Sequence, residues 1–168
     1  SLTLGAIMAV SPQARAGIMQ WVREKQENRI IYRFYKEQTQ APLPLYRPTW
    51  IPEGMEQEKY RYDKFSYFAF YYNNETEQGF SIDYSYMDDS SIPVVTPEEG
   101  CTIIHTEVNG CPADFYQMPD DKDGNVLVIL DEEANIMFGI AGNIDRDSIF
   151  NIAEHLSLIH ISEPTRLG

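Results

Sequence analysis

Few residues in this chain have types and spacings suited to chemistry. Cys101 and Cys111 come first, because two cysteines in an oxidising compartment can form a disulfide. Asn109-Gly110 between them is the strongest short hairpin signal. A two-residue turn there sets Val108 against Cys111 and Cys101 against Met118. Cys101 then lies on the order of 23 Å along the strand from the partner of Cys111. A bridge needs Cα atoms within about 7 Å, so two partly buried free thiols are expected. A bulge at Pro112 or a misplaced first strand is the route back to a bridge. Asp120-Asp-Lys-Asp-Gly124 resembles part of a calcium loop. With Gly124 at the loop glycine, Pro119 and Leu130 occupy the first and twelfth positions, where acids are needed. The stretch therefore reads as a solvated turn, with weak surface cation binding as the alternative. His105, His155 and His160 are scattered without metal spacing. There is no Gly-x-Ser-x-Gly, no phosphate-cradling glycine loop and no catalytic-cysteine context. The expectation is a non-enzyme with no cofactor and no metal site.

Aromatic density is the stronger lead. Rings crowd three successive segments between Tyr60 and Tyr86. Tyrosine suits recognition because each ring offers apolar area and a hydroxyl. Tyr60, Tyr62, Tyr67, Tyr71, Tyr84 and Tyr86 are the candidate ligand- or partner-binding residues, provided that their sheet face is open. The competing reading makes them core beneath a cover.

These residues must be positioned by a mostly β body. The 168 residues are 43% hydrophobic and carry a net charge of −13, enough for one sizeable core. That balance argues against a nucleic-acid partner. Residues 1–40 are net +3 and residues 41–168 net −16. A basic start and an acidic body suit a segment near anionic lipid followed by a domain held off it; a solvated acidic surface is the plainer account. Ser11-Pro12 reads as a helix start, and Ala14, Ile18, Trp21 and Val22 recur at helical spacing, so a helix is expected over 12–26. Ile30–Tyr35 reads as a short strand. Pro42, Pro44 and Pro48 mark a linker or extended crossing. From Met55 the period is two, giving strands near 55–62, 67–72, 80–86, 102–108, 111–118, 125–130 and 135–141. A closing helix follows, capped by Asp145 or Asp147, with Ile149, Ile152, Ala153 and Leu156 as its apolar stripe. The expected fold class is α+β: a single antiparallel sheet of about seven strands, the C-terminal helix packed on one face, and an N-terminal helical stalk.

Pro48-Thr-Trp-Ile-Pro-Glu-Gly54, the hairpin Val108-Asn-Gly-Cys-Pro-Ala113, the strand ending Phe138-Gly-Ile-Ala-Gly-Asn143 and the closing helix occur in a telling order. Over 48–158 the chain resembles the domain-of-unknown-function family numbered 4367. That family forms the extracytoplasmic C-terminal part of anti-sigma-factor-like membrane proteins of Gram-positive bacteria. The resemblance implies a cell-membrane protein with this domain outside, acting as a non-enzymatic sensor or interaction domain. Its partners would be an extracytoplasmic ligand or protein, the membrane through an upstream helix, and a sigma factor through a cytoplasmic part. Residues 1–10 would then be the end of a transmembrane helix, and 11–47 a juxtamembrane helix and Pro-rich linker. Arg15, Arg23 and Lys25 sit awkwardly with an outside placement. Trp50, Pro52, Gly54, Asn109 and Gly110 are structural markers, with Trp50 an anchor against the core. The alternative function is a lipid- or peptide-binding module using the aromatic sheet face; a weaker one is a secreted hydrolase. Ser157–Arg166 resembles translated sequencing-adapter sequence, and 159–168 is read as a non-native tail.

Overall fold

The computed structural model describes residues 20–90 and 92–159. Its strands are β1 (Trp21–Gln26), β2 (Arg29–Phe34), β3 (Tyr46–Pro48), β4 (Glu56–Tyr62), β5 (Ser66–Asn73), β6 (Gln78–Tyr86), β7 (Val94–Val95), β8 (Thr102–Val108), β9 (Cys111–Gln117), β10 (Asn125–Asp131), β11 (Ile136–Gly142) and β12 (Leu156–Leu158). One α-helix, α1 (Arg146–Glu154), lies between β11 and β12. Seven strands form an antiparallel sheet in the order β4-β5-β6-β11-β10-β9-β8. A three-stranded sheet β1-β2-β7 and a two-stranded sheet β12-β3 complete the fold.

The single-sheet α+β expectation with a helical stalk is therefore corrected. The fold is mostly β, in three sheets. Residues 21–26, placed in a helix from sequence, form β1 and pair with β2 from Trp21↔Phe34 to Gln26↔Arg29 around a turn at Glu27-Asn28. Trp21 and Val22 fit a helical stripe, but the hairpin gives every strand residue a cross-strand partner and sets Trp21 beside Tyr32, ring centroids 6.5 Å apart and tilted by 43°. Tertiary pairing overrides a weak local preference. The rest of the expected helix, 12–19, and the apolar run 1–10 lie outside the described residues, as does 160–168. Ser157 and Leu158, set aside with the tail, form part of β12 against Arg47 and Tyr46. Among the described residues, no helix is long and apolar enough to cross a membrane.

The large sheet has two different faces. On the inner one, Tyr67, Ala69, Phe80, Ile82, Tyr84, Phe115, Leu127, Ile129, Phe138 and Ile140 pack with Ile149, Ile152 and Ala153 of α1. Asp145 caps that helix by accepting from Ser148 N–H at 3.1 Å, which satisfies one of its free first-turn donors. On the outer face, Tyr116, Val128 and Leu130 pack beneath Ile30, Tyr32 and Phe34 of the small sheet, with Met87. The small sheet covers the β8–β11 half. The outer side of β4–β6 is left open.

Candidate ligand cleft on the outer sheet face

Strand register lines up one row of side chains across the outer face. Arg61 pairs with Phe68, Phe68 with Asp83, Asp83 with Gly139, Gly139 with Val128, Val128 with Asp114, and Asp114 with His105. Two carboxylates thus share one row, three strand spacings apart, or about 14 Å. Alternation puts Ser81, Asp83 and Ser85 outward from β6, while Phe80, Ile82 and Tyr84 point into the core.

Asp83 lies in a cleft of about 580 Å³. Ser66, Phe68, Ser81, Ser85 and Met137 form its floor, and Pro93–Thr96 of the small sheet form one wall. This volume is in the range of small-ligand sites. The Asp83 side chain stays open to solvent through the cleft mouth, yet protein crowds it on the remaining sides. That crowding raises its pKa to about 6, with the Gly139 N–H pulling part of the way back. Gly139 lets the carboxylate lie close to β11, because a Cβ there would sit 2.4 Å from Asp83 Oδ1 and push it outward. Among the described residues Asp83 has no ion-pair partner. The cleft therefore combines apolar walls, serine hydroxyls, one acid without an ion-pair partner and, beyond Phe68 on the same row, the cation Arg61. Such a surface can hold an apolar body and pair with a cationic or hydrogen-bond-donating group.

At the other end of the row, Asp114 is fully buried. It accepts from Arg23 Nε and a terminal guanidinium nitrogen, both at 2.7 Å, and from the Tyr32 hydroxyl at 2.6 Å. His105 Nδ1 lies 2.7 Å away, and the Tyr116 hydroxyl is 2.6 Å from that of Tyr32. Burial pushes the carboxyl up, but Arg23, Tyr32 and His105 outweigh it and hold Asp114 below the usual carboxylate range. Its partners come from both sheets, so this node rivets the small sheet to the large one. Arg23 is thus committed inward and Arg33 pairs with Glu24 at 2.6 Å; two cations of the basic leading segment serve the fold.

The tyrosines singled out from sequence lie on the inner face. Tyr67, Tyr71 and Tyr84 are buried, Tyr62 and Tyr86 are half-buried, and Tyr60 is 42% exposed. The Pro-rich linker covers them. Tyr86 and Tyr84 hydroxyls donate to Pro42 O at 2.8 Å and Pro44 O at 2.7 Å, and Tyr62 donates to Leu43 O. The rings stack as core, Tyr67 on Tyr84 at 4.6 Å and Tyr71 on Phe80 at 4.8 Å. The structure brings Tyr60, Tyr62, Tyr67 and Tyr84 together, but under a strap supplied by the chain itself. Trp50 is half-buried against this core. Pro52 O accepts from Met55 N–H, closing a turn in which Gly54 has φ +82°. Asn109 and Gly110 form the β8–β9 turn, both at positive φ. Cys101 and Cys111 are free thiols, each with its pKa raised by burial first. Asp121–Asp123 form a 3₁₀ turn whose cap, Asp120, accepts from Lys122 N–H. Among the described residues no cluster of three or more His, Cys, Asp or Glu could hold a metal ion.

Sequence reasoning missed Asp83 and its surroundings. The alternation of Phe80–Tyr86 did mark a wet face. The acid's placement opposite Gly139, under the wall made by β7, depends on long-range pairing.

The family's sequence profile matches residues 45–156, two thirds of the 168-residue chain. The chain belongs to the family DUF4367, a domain of unknown function. The match spans β4–β6, β8–β11 and α1, and so includes the cleft floor. The hairpin β1–β2 lies before it. No curated protein and no solved structure matches the chain.

Proposed function

We propose that this DUF4367 domain is a non-enzymatic recognition domain that takes a ligand in the outer-face cleft around Asp83. The observation that carries this reading is an unpaired acid on the floor of a cleft of ligand size. A ligand cation placed there would favour the ionised carboxylate, so binding near pH 6 would release a proton. The cleft wall formed by β7 belongs to the same small sheet as the leading hairpin. Ligand contact at β7 therefore reaches β2 through the Ile30–Val95 and Ile31–Val94 pairs, and β1 leads back toward the preceding chain. This hairpin replaces a helical stalk as the relay. Together with the family assignment it suits the sensing part of a membrane-anchored, anti-sigma-factor-like regulator whose domain lies outside the cell.

Two measurements test the reading. Primary-amine fragments, screened against their alcohol isosteres, should shift the Asp83 and Gly139 resonances and lose binding in Asp83→Asn. Equal shifts from amines and alcohols would remove the acid from the argument. For the membrane placement, alkaline phosphatase fused after the domain in the full-length natural protein should be active. A soluble full-length protein with inactive fusions would sink that part.

A further inference from the structure

We propose that the cleft takes an extended peptide, which adds as a fourth strand to the free edge of β7 and sets a basic side chain on Asp83. This rests on the cleft being a ligand seat and names the class of ligand.

The first argument is the backbone of the cleft wall. β7 pairs with β2 on one side only, in the order β1-β2-β7. Tyr32 N–H donates to Pro93 O at 2.9 Å, so Tyr32 and Pro93 form a hydrogen-bonded pair. In an antiparallel ladder bonded and non-bonded pairs alternate. Ile31↔Val94 is then non-bonded, and the Val94 N–H and C=O point away from β2. Thr96 follows with the same parity. Among the described residues no hydrogen bond joins these Val94 groups to another strand. An unpaired donor and acceptor at strand spacing recognise a peptide backbone and have no counterpart need in a small amine. The edge is protected against indiscriminate pairing by its two-residue length and the adjoining Pro93, the usual means of blunting an edge. A specific partner must therefore gain something beyond backbone pairing.

The floor supplies that gain. A strand beside β7 would lie over β5 and β6, where alternate side chains point toward the large sheet. They would meet Phe68 and Met137 as apolar ground, Asp83 as the single acid and, two strands from Asp83 beyond Phe68, Arg61 as the single cation, so a basic side chain is directed to the Asp83 side. The −16 charge of residues 41–168 favours encounter with a basic segment. A second copy of this chain pairing edge to edge would instead bring acidic surfaces together.

A displayed library of random linear peptides, selected on the intact chain with Asp83→Asn as counter-selection, tests this. Binders should share a Lys or Arg flanked by β-branched residues at alternate positions. Their affinity should fall about tenfold in Asp83→Asn, and about tenfold again when alternate peptide nitrogens are methylated. Thermal unfolding of Asp83→Asn checks that it is folded. Binders that survive both changes overturn the proposal, as does a library without Asp83-dependent binders. If amine fragments occupy the cleft while no peptide does, the ligand seat stands and the peptide assignment falls. If neither binds, both fall.

Discussion

Asp83 and Asp114 stand on the same cross-strand row of the same sheet face, yet they meet opposite fates. Asp114 is beneath the small sheet and has a guanidinium, a phenol and an imidazole around it. Asp83 is just beyond the edge of that sheet, with one glycine N–H for company. Their pKa values move apart, Asp114 down and Asp83 up. The lesson is that burial does not decide what an acid is for; the supply of partners does. Where the fold provides partners, the acid joins layers. Where it withholds them, the acid stays without an ion-pair partner among the described residues.

The harshest way to break this comparison is to strip Asp114 of its cation. Arg23→Met should lower stability by about 3 kcal/mol at pH 7, because a buried carboxylate is left short of its counter-charge. Urea denaturation measures it. Adding Asp114→Leu to Arg23→Met should recover most of the loss, since the apolar pair removes the stranded charge. A single-variant loss below about 0.5 kcal/mol would mean that the node is no more than a surface ion pair, and the contrast with Asp83 would collapse.

A milder perturbation acts on the open half. Gly139→Ala places a methyl 2.4 Å from Asp83 Oδ1, so the carboxylate must swing away. The atom met is the end of a rotatable side chain open to solvent, so the cost is about 1 kcal/mol, at the low end for overpacking. Combining Gly139→Ala with Asp83→Ser should relieve it, as read by thermal unfolding. An uncombined Gly139→Ala as stable as the parent would show that Asp83 is not held against β11.

The same contrast explains how much could be read from the chain alone. Period-two alternation placed β4–β6 and β8–β11, and the Asp145 cap and the Ile149, Ile152, Ala153 stripe placed α1, because those signals are local. The leading hairpin was lost because Trp21 and Val22 satisfy a helical stripe as well as a strand; the deciding partners, Phe34 for Trp21 and Asp114 for Arg23, are 13 and 91 residues further along the chain. The tyrosines were visible but ambiguous. Their density signalled a place where hydroxyls were needed, and Pro42, Leu43 and Pro44 carbonyls of the chain itself took them up. Asp83 is one acid among 26 acidic residues, and only register and the β7 wall set it apart.

The strap carries the comparison to the inner face. There the hydroxyls of Tyr62, Tyr84 and Tyr86 are paired with carbonyls of the chain itself, as Asp114 is paired with Arg23 and Tyr32. Tyr84→Phe removes both the bond donated to Pro44 O and the one accepted from Tyr46 N–H at 2.8 Å. It should cost about 1.5 kcal/mol. Tyr86→Phe, whose hydroxyl bond lies at the surface, should cost about 0.5 kcal/mol. Equal losses would imply that the strap is held by ring packing alone, and would reopen the tyrosine face as a site that its own linker covers only loosely.

The sharpest test is a modest effect of opposite sign. Asp83 has a folded pKa of about 6 against an ordinary 3.8. Between those values the folded chain holds a proton that the unfolded chain has released. The group therefore contributes stability at low pH that is lost as pH rises through about 6. Asp114, with a lowered pKa, behaves the other way and loses its contribution as pH falls below the ordinary carboxylate value. Asp83→Asn removes the ionisation while keeping the shape. It should match the parent near pH 4 and exceed it above pH 6.5 by about 1 kcal/mol, a figure reduced for the solvent contact of the side chain. Urea midpoints from pH 4 to pH 8 decide it. A constant offset would assign the difference to packing; a gap that opens with pH would show a charge that the fold itself leaves uncompensated, as a seat for an external cation requires.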